Sequence, residues 1–219
     1  MFTGIIQSVG TVHRLEPRGG DARISIATGK LPMADVALGD SIAVNGVCLT
    51  AVALDPDAFS ADCSRETLSL TTLGDLVPGS PVNLEKALTL STPLGGHLVS
   101  GHVDGVGRVL ERRQDARSWR LLIEAPAELA RYIAHKGSIC VDGVSLTVND
   151  VDGPRFDLNI VPHTLDETII VHYQPGTRLN LEVDLIARYL ERLLLGDKAA
   201  DPKAGGLTLE FLAEHGFLR

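Results

Sequence analysis

Long apolar runs are missing from this 219-residue chain: no window approaches the roughly 18 consecutive apolar residues of a membrane-spanning helix. Excess positive charge is missing too. With 20 Lys plus Arg against 28 Asp plus Glu and a net charge of −8, the chain offers no electrostatic footprint for a nucleic-acid backbone or an anionic membrane surface. A small or neutral ligand is the better expectation. Cysteine is scarce: Cys48, Cys63 and Cys140 form no CxxC pair, which argues against a disulfide framework and a thiolate metal site and fits reduced thiols in a cytoplasm. The opening Met1-Phe2-Thr3-Gly4-Ile5-Ile6-Gln7 has no basic stretch ahead of a long apolar core, so nothing in it directs export. No GxGxxG after a strand, P-loop or HExxH occurs, which leaves dinucleotide, nucleotide and zinc-hydrolase readings without support.

What is present is 44% hydrophobic content, enough for one large core or two small ones, and 22 glycines lying between short β-branched runs such as Ser41-Ile42-Ala43-Val44. The body reads as all-β. Sliding the chain against itself by 97 residues aligns Val9-Gly10 with Val106-Gly107 and Asn45-Gly46-Val47-Cys48-Leu49-Thr50 with Asp142-Gly143-Val144-Ser145-Leu146-Thr147. The register then holds through Phe59 and Phe156, Thr67-Leu68 and Thr164-Leu165, and Asn83-Leu84-Glu85 and Asn180-Leu181-Glu182. More than a quarter of the aligned positions are identical, where composition alone gives roughly 6–8%. The chain is therefore a duplication: residues 1–97, residues 98–185, and a tail with no counterpart.

Within the first unit, strands are expected around residues 4–15, 22–28, 40–45, 47–54, 58–63 and 81–88, and the second unit repeats them. Asn45-Gly46, Asp142-Gly143, Pro78-Gly79 and Pro175-Gly176 punctuate them as turns. Short strands of this kind close into small barrels because closure removes exposed edges. The expectation is two tandem six-stranded antiparallel Greek-key barrels plus a C-terminal α-helix. Two short helices are expected within each barrel, at Arg65-Glu66-Thr67-Leu68 and at Pro126–Tyr132, the latter with proline in its first turn. From Asp184 the pattern turns helical, with Ile186, Leu190, Leu193 and Leu194 as an apolar stripe until Gly196. The stripe fits burial against a copy of itself or against its own barrel. Residues 197–206 read as linker and Leu207 to His215 as a helical or frayed end.

In a duplicated chain, polar positions kept in both halves serve the shared fold or ligand, and diverged ones serve what each half does alone. Kept are Thr50/Thr147, Thr67/Thr164 and Asn83/Asn180, which suggest two similar pockets, while Thr71/Thr168 fits the flanking strands. Diverged are Cys48/Ser145, Asn45/Asp142, Ile5/His102, Glu66/His163 and Ala87/Asp184. The second half thereby gains a hydroxyl, carboxylates and imidazoles, the groups of proton transfer near neutral pH. Each has a plainer reading as well. Cys48 fits core packing, Asp142 a type I′ turn, Asp184 an N-cap, and Lys136-Gly137 a solvated turn. His97 and His102, five apart on an extended segment, face opposite ways and do not suggest a shared metal; His102 is favoured because it replaces an apolar residue.

Met1-Phe2-Thr3-Gly4-Ile5-Ile6, the Asn45–Thr50 block, Glu66-Thr67-Leu68, Gly95-Gly96-His97-Leu98-Val99-Ser100-Gly101-His102-Val103 and the Asp142–Thr147 block, in this order, resemble riboflavin synthase over residues 1–195. The resemblance implies dismutation of two molecules of 6,7-dimethyl-8-ribityllumazine, one donating a four-carbon unit to the other, with no external cofactor and no metal. Two similar pockets facing each other replace a bimolecular encounter by proximity. In the family they face across neighbouring subunits of a homotrimer held by the C-terminal helices. Carried over by motif, the first pocket uses Gly4-Ile5-Ile6, Cys48-Leu49-Thr50, Asp62-Cys63-Ser64-Arg65-Glu66-Thr67 and Gly101-His102-Val103. The second uses Ser145-Leu146-Thr147 and Asn159-Ile160-Val161-Pro162-His163-Thr164, with Lys136 reaching across the interface. Backbone groups are expected to dominate. His102 and Ser145 are assigned proton transfer, Cys48 or a water beside it addition to the acceptor, and Asp142 and Asp184 orientation. His163 stands where a carboxylate is expected, which bears on ribityl recognition. A non-catalytic lumazine- or flavin-binding protein on the same fold is the alternative, and the joint presence of Cys48, His102, Asp142, Ser145 and Asp184 favours the enzyme. A flavin-reductase barrel lacks its Rossmann unit.

Overall fold

Two Asx-Gly pairs set the register of both halves. Asn45 (φ +45) with Gly46 (φ +76), and Asp142 (φ +43) with Gly143 (φ +83), put both central residues in the left-handed region, as a type I′ turn requires. Each turn joins a short strand to a long one, with Val44 opposite Val47 and Val141 opposite Val144. The structure, a computed structural model, describes residues 1–196. The linker expected at 197–206 and the segment at 207–215 lie outside the described residues.

The first half contains β1 (Ser8–Arg18), β2 (Asp21–Ala27), β3 (Ser41–Val44), β4 (Val47–Asp55), β5 (Ala58–Cys63) and β6 (Pro81–Lys86). They close in the order β1-β2-β5-β4-β3-β6, a Greek-key barrel. The second half contains β7 (Gly105–Asp115), β8 (Ser118–Glu124), β9 (Ser138–Val141), β10 (Val144–Asp152), β11 (Arg155–Ile160) and β12 (Arg178–Val183), closed in the equivalent order. Even the irregularities repeat: β1 and β4 shift register after Val12 and Ala51, and β7 and β10 after Val109 and Val148. Such bulges add local bend and twist, which short strands need to close on themselves.

Alternation along the strands fills each barrel with its own core, Ile24, Ile26, Ile42, Phe59 and Leu84 in the first and Leu121, Ile123, Ile139, Phe156 and Leu158 in the second. The first strand begins at Ser8, four residues later than expected from the sequence. Residues 2–7 are used otherwise: Phe2 and Val99 exchange backbone hydrogen bonds of 2.7 and 3.1 Å, so the two lead-in segments pair with each other before each strand begins.

The helices follow local chemistry. Ser64 caps α1 (Arg65–Leu70) by accepting from the Thr67 N–H, and Pro162 opens α2 (Pro162–Asp166). The segment expected as a helix from Pro126 is a 3-10 turn, Ala127–Tyr132, with Pro126 in the cap position rather than inside it. Thr71 and Thr168, expected in flanking strands, instead cap the 3-10 turns Thr72–Asp75 and Ile169–His172. Residues 1–184 form one compact unit holding both barrels, and α3 (Leu185–Leu194) belongs to another. Taken by itself, α3 buries no residue, and Ile186, Leu190, Leu193 and Leu194 of its apolar stripe are exposed. No helix among the described residues is long and apolar enough to cross a membrane.

Candidate functional site

The site begins at the seam between the barrels. The two Asx-Gly turns meet back to back: a Cβ on Gly46 would lie 2.7 Å from the Gly143 nitrogen, and one on Gly143 2.9 Å from the Gly46 nitrogen, so only glycine allows the approach. Asn83 crosses the seam, donating from Nδ2 to the Asp142 carbonyl (2.8 Å) and accepting the Ile169 N–H on Oδ1 (2.8 Å). Asn180 does the same in reverse, toward the Asn45 carbonyl and the Thr72 N–H, each at 2.8 Å. Of the two uses expected for kept polar positions, fold or ligand, the asparagines serve the fold, because both side chains are spent on joining the barrels.

Asp142 belongs to this seam. Its Oδ1 accepts the Asn180 N–H (2.7 Å), as Asn45 Oδ1 accepts the Asn83 N–H, and its Oδ2 accepts the Tyr173 hydroxyl at 2.5 Å. Burial pushes its pKa up to about 7 against those hydrogen bonds. The same burial, with the nearby carboxylate, holds the Tyr173 hydroxyl well above its ordinary range. Asn45, Asp142, Tyr173, His172 and the ion-paired Asp75 and Arg178 line a cleft of about 380 Å³ at the seam. Cys48, His97, His102 and Ser145 are not among its walls.

Those chemical groups lie where each lead-in segment crosses to the other barrel. The Ser145 N–H donates to the Gly4 carbonyl (2.8 Å), and the Cys48 N–H to the Gly101 carbonyl (2.9 Å). A Cβ on Gly4 would stand 2.6 Å from the Ser145 Cβ, and one on Gly101 2.7 Å from the Cys48 Cβ. Gly4 is thus seated beside Ser145 of the second barrel, and Gly101 beside Cys48 of the first. Resemblance by motif had grouped both segments with the first pocket.

Two like frames carry unlike chemistry. On the second barrel the His97 ring Nδ1 lies 2.7 Å from the Ser145 Oγ, both residues half-buried, with the His97 N–H held by the Thr3 carbonyl (3.1 Å) and Gly96 packed against the serine. Burial lowers the His97 pKa while the charges of Asp184 and Glu182 pull it up, so a neutral ring is favoured near neutral pH. On the first barrel Cys48 is half-buried under Gly101, and the His102 side chain is exposed. Composition and divergence pointed to His102 and passed over His97. The signal for His97 lay in its glycine neighbours, which only a close approach demands.

Thr50, Asp62, Ser64, Arg65 and Glu66 form an exposed polar strip on the outer face of the first barrel, and Thr147, Asn159, Val161 and His163 are exposed on the second. Ile5 and Lys136 are also exposed, Ile6, Val103, Leu146, Thr67, Pro162 and Thr164 half-buried. Leu49, Cys63 and Ile160 turn inward to the cores, leaving only their backbone for a ligand, and burial pushes the Cys63 thiol up to about 11. Arg23 grips Asp62 with two hydrogen bonds of 2.7 Å and holds its carboxyl below the usual range.

The model of the lumazine binding domain matches residues 3–87 and again 100–184. Over 218 residues, all of both chains, the sequence is 48% identical to a riboflavin synthase of Photobacterium phosphoreum. It is 47% identical over 199 residues to one of Mycobacterium tuberculosis, covering 89% of this chain and 98% of that one. It is 39% identical over 218 residues to one of Bacillus subtilis, covering 99% and 100%. Among solved structures, LumP complexed with riboflavin superposes with a TM-score of 0.78 at 25% identity, covering 84% of this chain and 99% of that one.

Proposed function

The chain belongs to the riboflavin synthase family, and on that footing we propose how its paired frames carry out the reaction. The enzyme transfers a four-carbon unit between two molecules of 6,7-dimethyl-8-ribityllumazine, giving riboflavin and 5-amino-6-ribitylaminouracil, the last step of riboflavin biosynthesis. One observation carries the reading: a His97–Ser145 pair at 2.7 Å on one barrel, and at the matching place on the other a half-buried thiol, Cys48, packed under Gly101. A dismutation asks for this. Its two substrates are the same molecule and need like pockets, yet one gives carbons and the other takes them, so the reactive groups must differ.

In this account the Ser145 hydroxyl, hydrogen-bonded to His97, assists loss of the C7 methyl proton from one lumazine, with Asp184 partly offsetting the burial that keeps the imidazole neutral. Cys48, or a water it places, adds to the other, with His102 as its neighbour in the assembled site. Asp142 acts at a distance by fixing the turn that leads into Ser145. The substrate-binding set is the two polar strips with Gly4–Ile6, Gly101–Val103 and Lys136. Backbone amides and hydroxyls match the donor and acceptor edge of the dione ring, and polar side chains such as Glu66 and His163 take the ribityl chain.

We take residues 1–97 and 98–185 as the two lumazine-binding barrels and 186–219 as an oligomerisation helix and tail. The exposed stripe of α3 supports a homotrimer, whose existence sedimentation of the intact chain decides, and the three free cysteines support residence in a cytoplasm. The test of the site is Ser145→Ala. It retains binding of 6,7-dimethyl-8-ribityllumazine, followed by fluorescence, while riboflavin formation falls roughly a hundredfold. Unchanged turnover would remove Ser145 from the chemistry, and binding without turnover in the unaltered chain would favour a lumazine carrier.

A further inference from the structure

Each lead-in segment is held by a glutamate that the mechanism above does not use. Glu85 on β6 is buried, and its carboxylate accepts the Thr3 N–H (2.7 Å), the Thr3 hydroxyl (2.6 Å) and the Gly4 N–H (3.0 Å). Glu182 on β12 is buried likewise and accepts the Ser100 N–H (2.6 Å), the Ser100 hydroxyl (2.7 Å) and the N–H groups of Gly101 (2.9 Å) and His102 (3.1 Å). A carboxylate with this many donors is firmly placed, since charge-assisted hydrogen bonds are the strong ones.

What these clamps hold lies on the other barrel. Thr3, gripped by Glu85 of the first barrel, accepts the His97 N–H through its carbonyl, and Gly4 accepts the Ser145 N–H of the second. Gly101, gripped by Glu182 of the second barrel, accepts the Cys48 N–H of the first. We infer that Glu85 and Glu182 are positioning residues that work crosswise, each barrel's last strand setting the geometry of the reactive group on the opposite barrel. Neither barrel then presents a complete site without its twin. The duplication therefore does more than supply two pockets, and this rests on the reading of His97, Ser145 and Cys48 as the working groups. Burial raises the pKa of Glu85, opposed by its hydrogen bonds, which agrees with a carboxylate held out of water for its donors.

Glu85→Gln and Glu182→Gln keep shape while replacing an acceptor oxygen by an amide that cannot receive the segment's N–H groups. Hydrogen exchange by NMR on the full chain reads the consequence at single amides. In Glu85→Gln the amides of Ser145 and His97 exchange faster by roughly tenfold, the size of a charge-assisted hydrogen bond, while that of Cys48 is unmoved. In Glu182→Gln the pattern reverses. The buried amides of Phe59 and Phe156 hold in both, whereas a merely structural loss speeds all of them together. Turnover of the lumazine falls in each variant. If a glutamine variant fails to fold, Thr3→Ala removes one hydrogen bond to Glu85 and shifts Ser145 exchange the same way by a smaller factor. Faster exchange confined to each variant's own barrel, or spread over both pockets alike, overturns the crosswise assignment. The exchange pattern is read whether or not the unaltered chain turns over the lumazine, so failure of the enzymatic reading is seen separately, in that chain.

Discussion

Lys136 holds a left-handed backbone at φ +63, where its counterpart in the first barrel is Gly39 at φ +94. A side chain there costs about 1 kcal/mol that glycine avoids, so the second barrel retains a lysine against its local preference. Lys136→Gly is therefore expected to leave the unfolding midpoint unchanged or slightly raised while catalytic efficiency drops at least tenfold; equal activity in a kinetic assay would reduce Lys136 to the solvated turn of the plainer reading. Asp142 makes a prediction with a definite sign. Its folded pKa, about 7, lies above the unfolded value of 3.8, so between those values the folded state holds the extra proton and stability falls as pH rises, then levels above the folded pKa. The slope this group adds is at most about 1.4 kcal/mol per pH unit. Asn at this position already does the turn's work in the first barrel, so Asp142→Asn should flatten the curve of denaturation midpoint against pH between 4 and 7; an unaltered slope would assign it to other carboxylates. Cys48 and Ser145 were legible because the register pairs them. His97 was not, since it has no aligned partner in the first half, and Glu85 and Glu182 were not, since identical residues in matched strands look like shared framework.

Strands and turns were the most legible elements, because alternation and Asx-Gly pairs are local signals and each half repeats the other. The exceptions share a cause in long-range pairing. Residues 4–7 look like the start of a strand, yet the backbone of residues 2–4 is claimed by Val99, Glu85 and Ser145. Pro126 suggests a helix, but the run ends within six residues as a 3-10 turn. The joining of the barrels was hidden altogether, for nothing in Asn83 or Asn180 says that its amide reaches across. Asn180→Ala strands the Thr72 N–H and the Asn45 carbonyl in the buried seam and should lower stability by about 2–4 kcal/mol in chemical denaturation, without touching Cys48 or Ser145. A loss below 0.5 kcal/mol, roughly a surface substitution, would mean that the seam relaxes around the gap.

At the scale of the whole molecule, the polar strips are open faces on the outside of each barrel rather than enclosed cavities, and α3, taken by itself, carries an apolar stripe. A reaction between two identical substrates needs two such faces brought together with water excluded, which a homotrimer with facing pockets would provide. The central claim is that the two frames, alike in fold and unlike in chemistry, dismutate one substrate. The direct test is to incubate the purified chain with 6,7-dimethyl-8-ribityllumazine and nothing else, and to quantify riboflavin and 5-amino-6-ribitylaminouracil by chromatography. The account predicts equal amounts of the two products with no added cofactor; tight binding with neither product formed would contradict it.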